Sequence, residues 1–449
     1  YKINTSNWKY FVQLSWGRSE TVSYCYYNFK IMNNKGNYKW FILTMLTVVY
    51  VFNFADRQIL VILQESIKKD LELSDTQLGL LTGLGFALLY TTLGIPIAKL
   101  ADKYNRKNIL VFSLGFWSLM TVISGRALNF FQLLLTRIGV SAGEAGGMPP
   151  SHSIISDYFP KEQRGTAFSI YSMGVPIGIL LGFIVAGSIA SEYGWRIAFY
   201  ALGIPGILLS IILYFIIKEP IRGQIDGHVD DIKDSTFKEV IGSLFAKKSF
   251  LYLCLGAGFT TFSSYSLNNF LPSFIQRVHG VDLITVSINL GFSIGIGGLI
   301  GALIGGRLAD IKGAKNKKWY LYVPILSCIF SLFPAIIILF TGSSKIALAA
   351  IFPYAMFNAA FTGPVYAVGQ TLANVKMRAF ATALILLFMN GIGLALGPLS
   401  AGMLSDFLEP TFGNFSLRYA LTLNLLSLFL AILFYWKSAN NYEKDLEQV

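Results

Sequence analysis

The stretch AKLADKYNRK, Ala98–Lys107, returns in the second half of the chain as GRLADIKGAK, Gly306–Lys315. Each copy follows an apolar run, and each carries several lysines and arginines. A second echo links RGTAFSIYSMGVPIGILLG, Arg164–Gly182, with RAFATALILLFMNGIGLALG, Arg378–Gly397. Two motifs repeated in the same order point to two parallel, similar halves, and one large class of membrane carriers is built this way.

Apolar runs of about twenty residues surround these motifs, long enough to cross a bilayer as helices. Twelve spans are expected: 40–63, 76–97, 108–124, 130–156, 165–190, 195–217, 249–275, 285–308, 319–340, 346–372, 379–405 and 416–436. The fold class is therefore an all-α integral membrane protein with twelve transmembrane helices in two pseudo-symmetric six-helix halves. The expected organisation is an N-terminal segment 1–39, a first half 40–217, a linker 218–248, a second half 249–436 and a tail 437–449. Mean hydropathy is +0.56 and only 13% of residues are charged, against about 25% in soluble domains.

Net charge is +12, but the lysines and arginines gather in short loops at 99–107, 157–164, 307–318 and 376–378, whereas the alternating loops at 65–75, 191–194 and 406–415 lack that excess. This positive-inside pattern places both termini and the linker in the cytoplasm of a cell (inner) membrane protein. It also argues against nucleic-acid binding. Residues 1–31 show no helical period and no signal-peptide pattern. Met32, just before the first span, is the expected start, with 1–31 disordered or an over-extended reading frame.

Cys25, Cys254 and Cys328 form no CxxC or Cys/His metal spacing, and His152, His228 and His279 are too scattered for a ligand set. No cofactor, metal or enzymatic motif is expected. Gly291, Gly295, Gly297 and Gly298 lie inside a span with no strand before them, so a phosphate-binding loop is excluded.

Charge inside the spans is concentrated in the first half. VFNFADRQIL holds Asp56 and Arg57, and RIGVSAGEAGGMPPSHSIIS, Arg137–Ser156, holds Arg137 and Glu144. A charge at a bilayer centre costs roughly 2.5–3.5 kcal/mol on insertion scales and tends to face an interior cavity. Arg137 and Glu144 lie about two helical turns apart and share a face. Gly139, Gly143, Gly146 and Gly147 around them let a neighbouring helix approach closely. A charge pair that only joins helices is the alternative. Proton coupling needs a carboxylate able to alternate between charged and neutral; burial disfavours the charged form and a nearby arginine favours it. Asp56, Arg57, Arg137 and Glu144 are the ionisable candidates inside the spans; an arginine fork that held an anionic group would release its carboxylate partner to take a proton. His152 is read as an interhelical histidine or a proton relay.

The second half offers neutral polar residues: Asn268, Asn269, Asn289, Ser293 and Asn390, together with Asn358, Thr362, Tyr366 and Gln370. The last four recur about every four residues on one face of the tenth span and are the weaker substrate-contact candidates. Bonds between helices are the alternative reading for each.

The doubled loop resembles the GxLADRxGRR-type motif of the major facilitator superfamily, with Ala98 in place of the first glycine and Asn105 in place of the turn glycine. That resemblance implies the superfamily's fold, alternating access, and a cytoplasmic gate at Asp102 and Arg106 with Asp310 as counterpart. NFADRQIL, LSDTQLGLLTG, RIGVSAGEA and SDYFP, all between Asn53 and Pro160, resemble the Spinster-like branch. The narrower resemblance implies that Asp56, Arg57, Arg137 and Glu144 line one central proton-coupling and substrate cavity, and that the substrate is a lysophospholipid or sphingoid-like lipid moved with protons. The expectation is a monomeric secondary active transporter of an amphiphilic or organic anion. A carrier of small carboxylates, sugar acids or drugs is the runner-up, and a membrane solute sensor the distant alternative.

Overall fold

The computed structural model describes residues 19–220, 222, 237–374 and 377–447. Among them there is no strand. The helices are α1 (Ser19–Ile62), α2 (Gln64–Leu71), α3 (Asp75–Thr82), α4 (Leu84–Lys103), α5 (Arg106–Ser124), α6 (Phe130–Glu144), α7 (Met148–Tyr158), α8 (Lys161–Ser172), α9 (Gly174–Tyr193), α10 (Trp195–Ile216), α11 (Phe237–Ala246) and α12 (Lys248–His279). They continue with α13 (Leu283–Gly313), α14 (Trp319–Phe340), α15 (Ser344–Ala359), α16 (Thr362–Thr371), α17 (Arg378–Phe388), a π-helical segment Met389–Ala395, α18 (Leu396–Phe412), α19 (Ser416–Leu425) and α20 (Ser427–Leu446).

Nine helical runs among the described residues are long and apolar enough to cross a membrane. The last of them, Phe380–Leu446, turns back at Gly413 and supplies two spans. Phe130–Tyr158 and Lys248–His279 supply the remaining two of twelve; their polar side chains, Arg137 and Glu144 in one and a serine–threonine–asparagine series in the other, dilute their apolarity.

One expectation is corrected at the N-terminus. The backbone is helical from Ser19, not first from Trp40, and Tyr38–Ile62 is its apolar part. No proline lies between Ser19 and Trp40, and the helix carries Gly36 within it. Residues 1–18, most of the expected linker and Lys376 lie outside the described residues. The second span is also not one rod. It breaks at Gly83, where an added Cβ would press on the carbonyls of Gly79, Leu394 and Ala395. A capping box of Ser74 and Gln77 starts its first piece, Ser74 Oγ accepting the Gln77 N–H at 3.2 Å and Gln77 Oε1 accepting the Ser74 N–H at 2.9 Å.

The halves meet along two seams. In one, α9 packs along α13; in the other, α3 and α4 pack along α18 and the π segment. Glycine permits the second approach, since a Cβ on Gly79 would strike Pro398 and one on Gly402 would strike Asp75. Outward-facing positions carry Phe112, Leu128, Phe131, Phe215 and Phe407, all strongly exposed, as lipid-facing surface requires. Outside the spans, Asp282 caps α13 by accepting the Thr285 N–H at 2.9 Å, which holds its carboxyl below the usual range.

Glu72 ends α2 with φ 52°, the one non-glycine residue with positive φ among the described residues. An L side chain there costs about 1 kcal/mol relative to glycine. Glu72→Gly is expected to raise the apparent melting temperature of the purified protein by about 1–2 °C, read by intrinsic-fluorescence melting; a lower value would contradict the strain.

Candidate substrate site between the two halves

The adjacent residues Asp56 and Arg57 sit in α1, and α6 brings Arg137 and Glu144 beside them. Asp56, Arg137 and Glu144 are all almost completely buried. Arg57 Nε donates to Glu144 Oε2 at 2.6 Å, while Arg137 Nη1 reaches the Asp56 carbonyl at 3.4 Å. The Arg57 guanidinium lies 4.9 Å from the ring centres of Phe54 and Phe86 and 4.4 Å from that of Tyr90. Such a cage favours a cation held away from water. Arg137 also faces Phe86, at 5.8 Å.

This cluster is not saturated. Both Asp56 carboxylate oxygens, Arg57 Nη2, Arg137 Nε and Glu144 Oε1 are buried with no hydrogen bond of normal length and angle, although Thr121 and Trp117 lie beside Asp56, Asn53 beside Glu144 and Tyr90 beside Arg57. A buried polar atom left unpaired costs about 1–3 kcal/mol, more when charged. Orphans of both signs at one place mark a site ready for a proton on one side and an anion on the other.

In the other half, Asn358 accepts from Ser264 Oγ at 2.7 Å, and Asn268 Nδ2 donates to the same hydroxyl at 3.3 Å. The four candidates of the tenth span do not act together. The helix is interrupted between Ala359 and Thr362. The Thr362 hydroxyl bonds the Ala359 carbonyl, Tyr366 donates to Met389 Sδ at 3.7 Å, and exposed Gln370 reaches Thr382 at 3.4 Å. His152 packs edge-on against Phe168 and Tyr171.

The residues of the repeated loop are placed apart. Arg106 is buried, and its fork is shared among Asp157 and Ser153 Oγ at 2.9 Å in its own half and Glu219 Oε1 at 2.7 Å at the start of the linker. Asp102 is exposed, its carbonyl accepting from Arg222. Asp310 accepts the Tyr320 hydroxyl at 2.7 Å. The structure does not bring Asp102, Arg106 and Asp310 together.

The halves are instead tied on the opposite face, by residues the sequence reading passed over. Arg277, near the end of α12, donates twice to Asp75 at 2.6 Å and also to Glu65, Nη2 to Oε1 being 2.6 Å. Lys68 Nζ adds 2.6 Å to Asp75. Asp406 accepts the backbone N–H groups of Asp75 and Thr76 at 2.9 and 2.8 Å, so a carboxylate of one half caps a helix of the other. Ser405 donates to Asp75, and Ser273 to Gln64. The available signal was faint: one arginine and one aspartate near the ends of apolar runs of the second half.

A twelve-span helical protein with a buried charge cluster in one bundle and ion pairs joining its two bundles is, in class, a membrane transporter. The family model described as Major Facilitator Superfamily matches residues 46–398, and the chain belongs to that superfamily. It is 31% identical over 411 residues to the MFS-type efflux pump of Mycolicibacterium smegmatis (strain ATCC 700084 / mc(2)155), covering 91% of this chain and 94% of that protein. It is 26% identical over 289 residues to the probable L-galactonate transporter of Escherichia coli (strain K12), covering 61% and 63%. Its fold matches the crystal structure of a bacterial homologue of the human lysosomal transporter Spinster, in an inward-facing and unoccupied conformation. That match has a TM-score of 0.85 and 30% identity, over 91% of this chain and 98% of the other. The Spinster-like resemblance of the sequence and this structural likeness agree.

Proposed function

We propose that this chain is a proton-coupled secondary transporter of an amphiphilic organic anion, with Arg57 as the anion-binding group and Glu144 as the proton carrier. The observation that carries this reading is the Arg57–Glu144 pair, 2.6 Å apart, beside the buried Arg57 Nη2 and Glu144 Oε1, which make no hydrogen bond of normal length and angle. Glu144 holds either Arg57 or a proton. Once protonated, it no longer neutralises the guanidinium, which then takes a phosphate or carboxylate through its fork. Proton uptake and anion binding thus favour each other, and by linkage the effect is reciprocal. Asp56 and Arg137 form the adjoining pair through which the charge is redistributed.

The halves, residues 40–217 and 249–436, rock about the α9–α13 and α3–α18 seams, with 218–248 as the linker. The termini lie in the cytoplasm, and Asp102, Arg106 and Asp310 belong to the gate on that side. The tie at Arg277 keeps the outer face shut in the present conformation, in keeping with the inward-facing neighbour. The Spinster-like resemblance of the first half implies a single-chain anionic lipid. The L-galactonate relative favours the second reading, a small organic acid.

The test is uptake into proteoliposomes under an imposed pH gradient, with a lysophospholipid and galactonate as alternative substrates. Lysolipid uptake that follows the gradient is expected; galactonate uptake alone would assign the second substrate class, and gradient-independent flux would remove the coupling. The sign for the wild type is also set. Lower pH protonates Glu144 and raises anion affinity, so the apparent KM falls as pH falls, whereas Glu144→Gln gives a flat profile.

A further inference from the structure

Across the interior from the charged cluster, α12 and α15 carry a polar group of side chains that is entirely neutral. Asn268 Nδ2 donates to Ser264 Oγ, and Ser264 Oγ donates to Asn358 Oδ1. Each donation runs toward Asn358, so the acceptor at the other end of the chain, Asn268 Oδ1, receives nothing. That oxygen is buried and has no hydrogen-bond partner. Tyr354, one turn before Asn358, places its buried hydroxyl beside Ser264 in the same cluster. Tyr265, next to Ser264, packs, as do Tyr50 and Tyr90, against the hydrophobic core that contains Phe86, Leu394 and Ala395, and it lies within electrostatic reach of Arg57 and Tyr90. The face of α12 that bears Ser264 and Asn268 therefore fronts the cage around Arg57.

We propose that Asn268, Ser264 and Asn358 form a neutral subsite that accepts a hydrogen bond from a substrate O–H or N–H. The transported anion is then a bifunctional molecule, with a hydroxyl or amine donor close to its anionic group. This rests on the reading of Arg57 as the anion site and adds the second recognition element to it. A purely anionic ligand satisfies Arg57 and leaves Asn268 Oδ1 unpaired. A ligand with a donor satisfies both. Sites built to hydrogen-bond a ligand hydroxyl reject the analogue that lacks it far more strongly than apolar pockets reject a missing methylene.

The experiment is equilibrium binding to the full chain in nanodiscs, with 1-acyl lysophosphatidic acid and its 2-deoxy analogue, an acyl-propanediol phosphate, as paired probes. In the wild type the hydroxyl-bearing probe is expected to bind about tenfold more tightly. Asn268→Leu, close in size, is expected to remove that difference by weakening only the hydroxyl-bearing probe. Its retained affinity for the deoxy probe shows that the variant is folded. Arg57→Gln is expected to weaken both probes together and reports on the anion site alone. Equal affinity of the wild type for the two probes, or an equal loss of both in Asn268→Leu, overturns the subsite while leaving the Arg57 reading intact. Binding that ignores Arg57→Gln, or no binding of either probe, overturns the anion reading and the subsite with it.

Discussion

Glu144→Gln should abolish proton-driven accumulation while leaving exchange of substrate across the membrane intact. Glutamine keeps the shape of the side chain and resembles the protonated acid, so Arg57 stays free to hold the anion. What is lost is the cycle of proton release, without which the pH gradient no longer drives the uphill step. Accumulation ratios should fall to one, while counterflow, in which labelled substrate exchanges for unlabelled, continues. Arg57→Ala is the contrasting change. It leaves Glu144 buried without its nearest cation, and breaking a buried pair from one side costs about 3–5 kcal/mol. Both uptake and counterflow should then fall by about 10²–10⁴-fold. Equal loss of counterflow in the two variants would show that Glu144 serves binding and not coupling.

Arg277→Gln should release the tie between the halves on the α2 face. Arg277 there neutralises Glu65 and the almost fully buried Asp75, with Asp406 against the start of the same helix. Without the guanidinium, Lys68 is the remaining cation bonded to Asp75, and three carboxylates crowd one seam. A loss of about 3–5 kcal/mol shifts a two-state equilibrium by about 10²–10⁴-fold. Spin labels at the exposed positions Glu72 and Glu409, in a background with Cys25, Cys254 and Cys328 replaced by serine, should report a new, longer distance. Adding Asp75→Asn removes the orphaned charge and should restore part of the closed population. An unchanged distance distribution in Arg277→Gln would mean that the glycine contacts at Gly79 and Gly402 alone hold the seam.

The charges of the first half were legible because each stands out against an apolar background. Asp56, Arg57, Arg137 and Glu144 are expensive in a span, and that cost alone singles them out. Which of them pair was not legible. The seven-residue spacing suggested that Arg137 and Glu144 share a face, yet the short ion pair is Arg57 with Glu144, between α1 and α6. The second half illustrates the opposite difficulty. Asn358, Thr362, Tyr366 and Gln370 share a helical period, but a break after Ala359 and local bonding send them to different partners. The N-terminal helix from Ser19 shows a third case, where an unpatterned stretch without proline continues the helix it adjoins, through Gly36.

By itself the sequence determined the helical membrane architecture, the doubling of the chain and the set of ionisable groups inside the spans. These follow from local physics: backbone groups in hydrocarbon must bond within their own helix, and apolar length fixes how many helices cross. Only the tertiary structure decided that Arg106 bonds to its own half and the start of the linker, that Asp406 caps α3 from the other half, and that Arg277 ties the two halves together. Such partners lie far apart along the chain, as Asp75 and Asp406 do, and hydropathy and periodicity carry no information about which distant side chains meet. The close approach of helices at Gly79 and Gly402 brings them within bonding distance, and that approach is a property of the packed molecule.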